Sequence, residues 1–114
     1  MKSKIIRGNK LKEKDHGDTK TTTIINDSGW PFFSVAKIRK VGNNIKEGYD
    51  NEANTAYYVL DGKGDCVING KKHHIKKGDC ILYPKGATYK HLKGLILLAI
   101  SSPRFDRKKR RYIE

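Results

Sequence analysis

From Thr21 onward, glycine, asparagine or aspartate cuts the chain every few residues, and the segments between the cuts are rich in β-branched and aromatic residues. Eight such runs stand out, at 21–26, 33–41, 56–60, 66–69, 73–75, 80–83, 88–92 and 95–101, and none has the length or the 3.6-residue period of a helix. Asp61-Gly62, Asn69-Gly70 and Lys93-Gly94 read as hairpin turns, because glycine takes a positive φ at little cost. Short strands at this spacing predict a sandwich or closed barrel, since closure buries edges that a free sheet would expose. The expected fold class is therefore all-β.

A chain of 114 residues has room for one core. Its 25 Lys and Arg outnumber 12 Asp and Glu, for a formal net charge of +13, and only 36% of the residues are apolar. The charge is uneven: residues 1–20 carry +4, residues 104–114 another +4, and the long middle only +5. This predicts a polar N-terminal arm over 1–20, a barrel domain over 21–106 and a basic C-terminal tail over 107–114. Ile5, Ile6 and Leu11 would let the arm lie across a partner sheet. The first twenty residues lack the apolar stretch of a signal peptide, and the longest apolar run, 95–100, is too short to span a bilayer. The expectation is a cytoplasmic protein with no membrane partner. Cys66 and Cys80 match neither a C-x-x-C redox pair nor a zinc framework and read as free, semi-buried strand thiols.

One segment carries a family signature. Gly78-Asp79-Cys80-Ile81-Leu82-Tyr83-Pro84-Lys85-Gly86-Ala87-Thr88-Tyr89 resembles the second conserved motif of the cupin superfamily, G-x5-P-x-G-x2-H, at every position but the last. Upstream, the stretch from Tyr57 to Gly64 is similar to the end of the first cupin motif. Ser102-Pro103-Arg104-Phe105-Asp106 resembles the close of many small single-domain cupins. The resemblance covers roughly residues 32–106 and implies a jelly-roll β-barrel of the small, single-domain cupin type.

Cupins commonly hold a divalent metal with two His and a Glu from the first motif and a His from the second. Carried onto this chain, the Glu position falls on Thr55, the paired His positions on Tyr49 and Asn51 (or Gly48 and Asp50 with the longer gap), and the last His on Tyr89. Hydroxyl, amide and phenol are weak ligands beside imidazole and carboxylate, so the resemblance implies a replaced metal motif and no tightly bound cofactor. A weak divalent site rebuilt from Asp50, Glu52 and His91 stays open.

Alternation along the strands, in the cupin register, turns Thr55, Tyr57 and Val59 inward, and His91 to the face of Tyr89. The resemblance then implies a pocket lined by Tyr49, Asn51, Thr55, Tyr57, Tyr89 and His91, with Lys85 near the mouth as a phosphate contact. Phenol faces with hydrogen-bonding tips suit a small carbohydrate-like ligand, and the basic surface suits phosphorylated or nucleotide-linked sugars. Tyrosines that refill the space of lost ligands and close the core are the alternative.

Three functions follow. A metal-free cupin would bind such a ligand and could isomerise or epimerise it, with His91 as base and Tyr89 or Tyr57 as acid. A non-catalytic module would use the barrel as a homodimerising platform. A nucleic-acid binder would use Arg104, Arg107, Lys108, Lys109, Arg110 and Arg111. His73 and His74 point to opposite faces of one strand and cannot chelate together; His16 sits in an arm, and Trp30-Pro31-Phe32-Phe33 serves barrel packing or a dimer contact.

Overall fold

The computed structural model describes residues 2–113. Ten strands run antiparallel: β1 (Lys14–Asp15), β2 (Thr19–Asp27), β3 (Trp30–Lys40), β4 (Gly48–Asp50), β5 (Asn54–Ile68), β6 (Lys71–Lys76), β7 (Cys80–Tyr83), β8 (Tyr89–His91), β9 (Leu95–Ser102) and β10 (Arg110–Tyr112). One sheet has the order β1-β2-β3-β9-β5-β7, and the other runs β10-β4-β8-β5-β6. The all-β expectation holds, and the curled sheets form the expected jelly-roll type of barrel. Among the described residues no helix is long and apolar enough to cross a membrane.

β5 belongs to both sheets, pairing with β9 and β7 through its first half and with β6 and β8 through its second. Asp61-Gly62 is therefore not a hairpin turn. The β5–β9 register shifts at a bulge immediately before it, between Val59 and Asp61, and the strand bends there from one sheet into the other. Gly62 has φ +80°, and a Cβ there would lie 2.0 Å from the Gly94 carbonyl oxygen, so only glycine fits the bend. Asn69-Gly70 is a turn as read, closing the β5–β6 hairpin with positive φ at both residues.

Inward positions change character along single strands. On β9 the inward side chains run Leu95, Leu97, Ala99, Ser101, and on β3 Ser34, Ala36, Ile38, Lys40. Leu95 and Leu97 join Val59, Cys66 and Ile75 in the buried core, against which Ile38, Tyr57, Ile68 and Ile81 pack. Beyond that plug, Thr55 and Ser101 face each other across β5 and β9 with hydroxyl oxygens 3.1 Å apart. One region of the barrel is thus sealed by apolar packing, and another stays polar and open. Cys66 lies in the core, whereas Cys80 is exposed rather than semi-buried.

The basic run at the C-terminus is not a solvated tail. After β9, Phe105 N–H donates to Ser34 Oγ (2.9 Å), Asn26 Nδ2 to the Phe105 carbonyl (2.9 Å) and Arg104 Nη1 to Asn26 Oδ1 (2.9 Å). Asp106 then accepts from Lys108 N–H at the start of a 3-10 turn, Arg107–Lys109, which delivers β10 against β4. At the other end, β1 and the start of β2 already lie within the segment read as an arm, while residues 2–10 are exposed.

Candidate functional site

A cavity of about 870 Å³ opens at the polar region of the barrel. Its inner aromatic wall comes from β5 and β8, through Tyr57, Tyr89 and His91, with Tyr83 of β7 buried behind them. Tyr57 (β5), Tyr83 (β7), Tyr89 and His91 (β8) all point inward, because alternate residues of a strand share a face and these lie in phase with Thr55 and Val59, with Ile81, and with each other. Tyr83 and Tyr89 stack with ring centroids 3.7 Å apart and 9° between planes. Tyr57 meets them edge-on, its hydroxyl 3.1 Å from that of Tyr89, and packs 4.4 Å from the His91 ring.

His91 is only 2% exposed, and its Nε2 lies 3.0 Å from the Tyr83 hydroxyl. Burial, and then the charges of Lys40 and Arg110, push its pKa down to about 3, so the ring is neutral near pH 7 and shares one hydrogen bond with Tyr83. Burial likewise raises the Tyr57 and Tyr83 phenols well above their ordinary value and keeps both protonated.

Cations dominate the rest of the lining: Lys14, Lys40, Lys46, Lys90, Arg107 and Arg110, against the carboxylates of Asp18 and Asp50. Arg110 reaches the site from β10. Its guanidinium lies over the Tyr89 ring, 4.4 Å from the centroid, and near the Tyr112 ring at 5.6 Å. Gly48, one strand over, makes the room: a Cβ there would come within 2.9 Å of Arg110 Nε and Nη2. Lys40, at the inward end of β3, has its Nζ 3.0 Å from Thr19 Oγ1. Burial, and then Arg110, lower its pKa to about 8.

Of the residues expected to line the pocket, Thr55, Tyr57, Tyr89 and His91 do so. Tyr49, Asn51 and Lys85 do not. On β4 the buried residues are Gly48 and Asp50, so Tyr49 faces the other way and Asn51 is exposed. The longer-gap register is the one realised, and a one-residue slip exchanges the two faces of a strand. Lys85 is exposed, its backbone N–H donating to Asn54 Oδ1. Sequence reasoning missed Lys40, Tyr83 and Arg110. Alternation from Ile38 and Ile81 carries the signal for the first two; the third stands among five consecutive cations with nothing local to single it out.

The donor set does not fit a divalent cation. Asp50 Oδ1 already accepts from the Glu52 and Ala53 backbone N–H groups, at 2.8 Å each. Glu52 turns away to Lys109 (3.3 Å), Thr55 is bonded to Ser101, and a guanidinium covers Tyr89. Asp50, Glu52 and His91 are not brought together, and no group of three or more His, Cys, Asp or Glu among the described residues could hold a metal ion. His16 lines the outer cavity, whereas His73 and His74 are exposed, with His74 Nδ1 3.1 Å from Asp65.

Comparison with known proteins agrees with this architecture. Residues 40–93 match the cupin domain family. An uncharacterized protein of Aquifex aeolicus (strain VF5) is 41% identical over 63 residues, 53% of this chain, and the chain spans about half the length of that relative (52%). Among solved structures, a Streptomyces Pac13 variant with uridine superposes at a TM-score of 0.87 (14% identity; 100% of this chain, 93% of that one). Pac13 is described as a nucleoside dehydratase. The polyketide cyclase RemF of Streptomyces resistomycificus gives 0.81 (17%; 99% and 87%), and KdgF of Halomonas sp. gives 0.76 (14%; 92% and 99%). At these identities the likeness establishes the fold.

Proposed function

The chain carries a small cupin domain, and on that premise we propose that its barrel binds a small, polyhydroxylated, carbohydrate-like molecule, nucleosides and nucleotide-linked sugars included. The carrying observation is the cavity wall: the rings of Tyr57, Tyr89 and His91 line it beside the hydroxyls of Thr55 and Ser101, so apolar ring surface and neutral hydroxyls of Tyr57, Tyr89, Thr55 and Ser101 meet at one place. The likeness in fold to Pac13, a nucleoside dehydratase seen with uridine, supports the same class.

The arrangement favours binding over proton abstraction. An isomerase or epimerase would need His91 as base, yet a conjugate acid of pKa about 3 makes a weak base at neutral pH, and its Nε2 is engaged by Tyr83. Nor does the C-terminal basic run favour nucleic acid, since folding commits Arg110 to the barrel.

Calorimetric titration of the purified chain with uridine, ribose and nucleotide-linked sugars tests the reading. One of these ligands should bind, and Tyr57→Phe and Tyr89→Phe should each weaken it about three- to tenfold, the range for one lost neutral hydrogen bond. Absence of binding across the panel, or full affinity in both variants, would remove the proposal.

A second reading concerns assembly. The outer face of the first sheet carries Tyr58, Leu82 and Ile100 at 43%, 74% and 40% exposure. We infer that a second copy of the chain covers it.

A further inference from the structure

We propose that Lys40 and Arg110 form a phosphoryl-binding subsite at the inner mouth of the barrel, so that the ligand carries a phosphate monoester. The inference rests on the carbohydrate-like reading and specifies the ligand's second half.

Among the described residues, two cations of the cavity lack a carboxylate partner. Lys40 on β3 and Arg110 on β10 come from strands 70 residues apart in the chain, and both line the same cavity. The charges of both are felt by His91, and that of Arg110 by Lys40. Neither takes part in an ion pair among the described residues. The nearest carboxylate in the sequence pairing, Asp50 opposite Arg110 on β4, is turned into its own loop by the Glu52 and Ala53 amides. Asp18, the other acid of the lining, accepts from Asn44 N–H. Two partly buried like charges cost stability unless an anion joins them.

The fold also invests in placing them. Gly48 leaves the space in which the guanidinium crosses β4, and the rings of Tyr89 and Tyr112 flank it. Thr19 Oγ1 fixes the Lys40 ammonium. A planar fork plus a point charge, with neutral hydroxyls around them, matches a tetrahedral dianion better than a carboxylate of single charge.

The test is a titration of the full chain with three probes: inorganic phosphate, ribose against ribose 5-phosphate, and uridine against uridine monophosphate. The phosphorylated member of a pair should bind at least tenfold tighter. Lys40→Met and Arg110→Gln should each remove most of that gain, weakening the phosphorylated member at least fivefold more than the unphosphorylated one. Lys40→Met should also raise the Tm of the unliganded chain, because it deletes a buried charge. Should either variant fail to fold, the wild-type chain still decides: in a 1H–15N spectrum, inorganic phosphate should shift the Arg110 Nε signal before those of Arg104 and Arg107. Inorganic phosphate binding through Lys40 and Arg110 while every sugar fails would keep the subsite and end the carbohydrate reading. Equal affinity for both members of each pair, or equal losses on both in the variants, would overturn the subsite.

Discussion

His91 shows how the fold sets the behaviour of one residue. It is enclosed by Tyr57 from β5, Tyr83 from β7 and Tyr89 beside it on β8, with the cations Lys40 from β3 and Arg110 from β10 disfavouring its protonation. Its pKa of about 3 lies below the roughly 6.5 of a free histidine, so between those values the unfolded chain binds a proton that the folded chain refuses. The histidine's contribution is therefore complete above pH 6.5 and is lost as pH falls towards 3. From pH 6.5 to 5, before ordinary carboxylates titrate, the loss should reach about 2 kcal/mol. Denaturant unfolding across that window checks it: the wild type should weaken and His91→Gln should run flatter. Parallel curves would show that the ring is not held neutral.

At the scale of elements, β5 decides the architecture, because one strand of fifteen residues serves two sheets. Its bend depends on Gly62, where an added methyl would meet both an unfavourable positive φ and the Gly94 carbonyl. Gly62→Ala should therefore cost more than about 2 kcal/mol in urea unfolding, whereas Gly70→Ala, with the same φ and open space, should cost nearer 1 kcal/mol. Equal costs would mean that the bend relaxes freely. The same element marks the limit of the sequence reading. Alternation and Gly or Asn punctuation reveal β2, β3, β6, β7, β8 and β9, because those signals are local. A bulge and a hairpin turn share the Asp-Gly signature, so only pairing with β9 tells them apart. β10 has no apolar periodicity, and its place depends on β4 and the space at Gly48. In the site, Thr55, Tyr57, Tyr89 and His91 follow from parity within strands. Tyr49 and Asn51 fail because the loop between β4 and β5 hides a one-residue shift.

For the whole molecule, the positive charge and the apolar surface occupy different places. A chain of net charge +13 repels its own copies unless they meet where charge is sparse. The outward rows of the first sheet provide such a place: Ala56 lies opposite both Leu82 and Ile100, and Tyr58 opposite both Cys80 and Leu98, with Lys37 and Arg39 only at the β3 margin. β9 is apolar on both faces, inward through Leu95 and Leu97 and outward through Ile96, Leu98 and Ile100, as a strand covered on both sides would be. A two-fold contact here leaves the cavity free, since the cavity opens on the opposite, inner face of the same strands. Light scattering after size exclusion should give twice the 13.0 kDa chain mass. Leu82→Lys, a change at a side chain 74% exposed that costs the monomer little, should return it to one. The variant should keep its ligand affinity, because Leu82 and Tyr83 point to opposite faces of β7. A wild type that stays monomeric as concentration rises, or a Leu82→Lys dimer, would place the second copy elsewhere or remove it. Raising salt separates the causes further: screening the charge at the two chain ends should strengthen an apolar dimer, whereas a contact made through the basic C-terminal run would weaken.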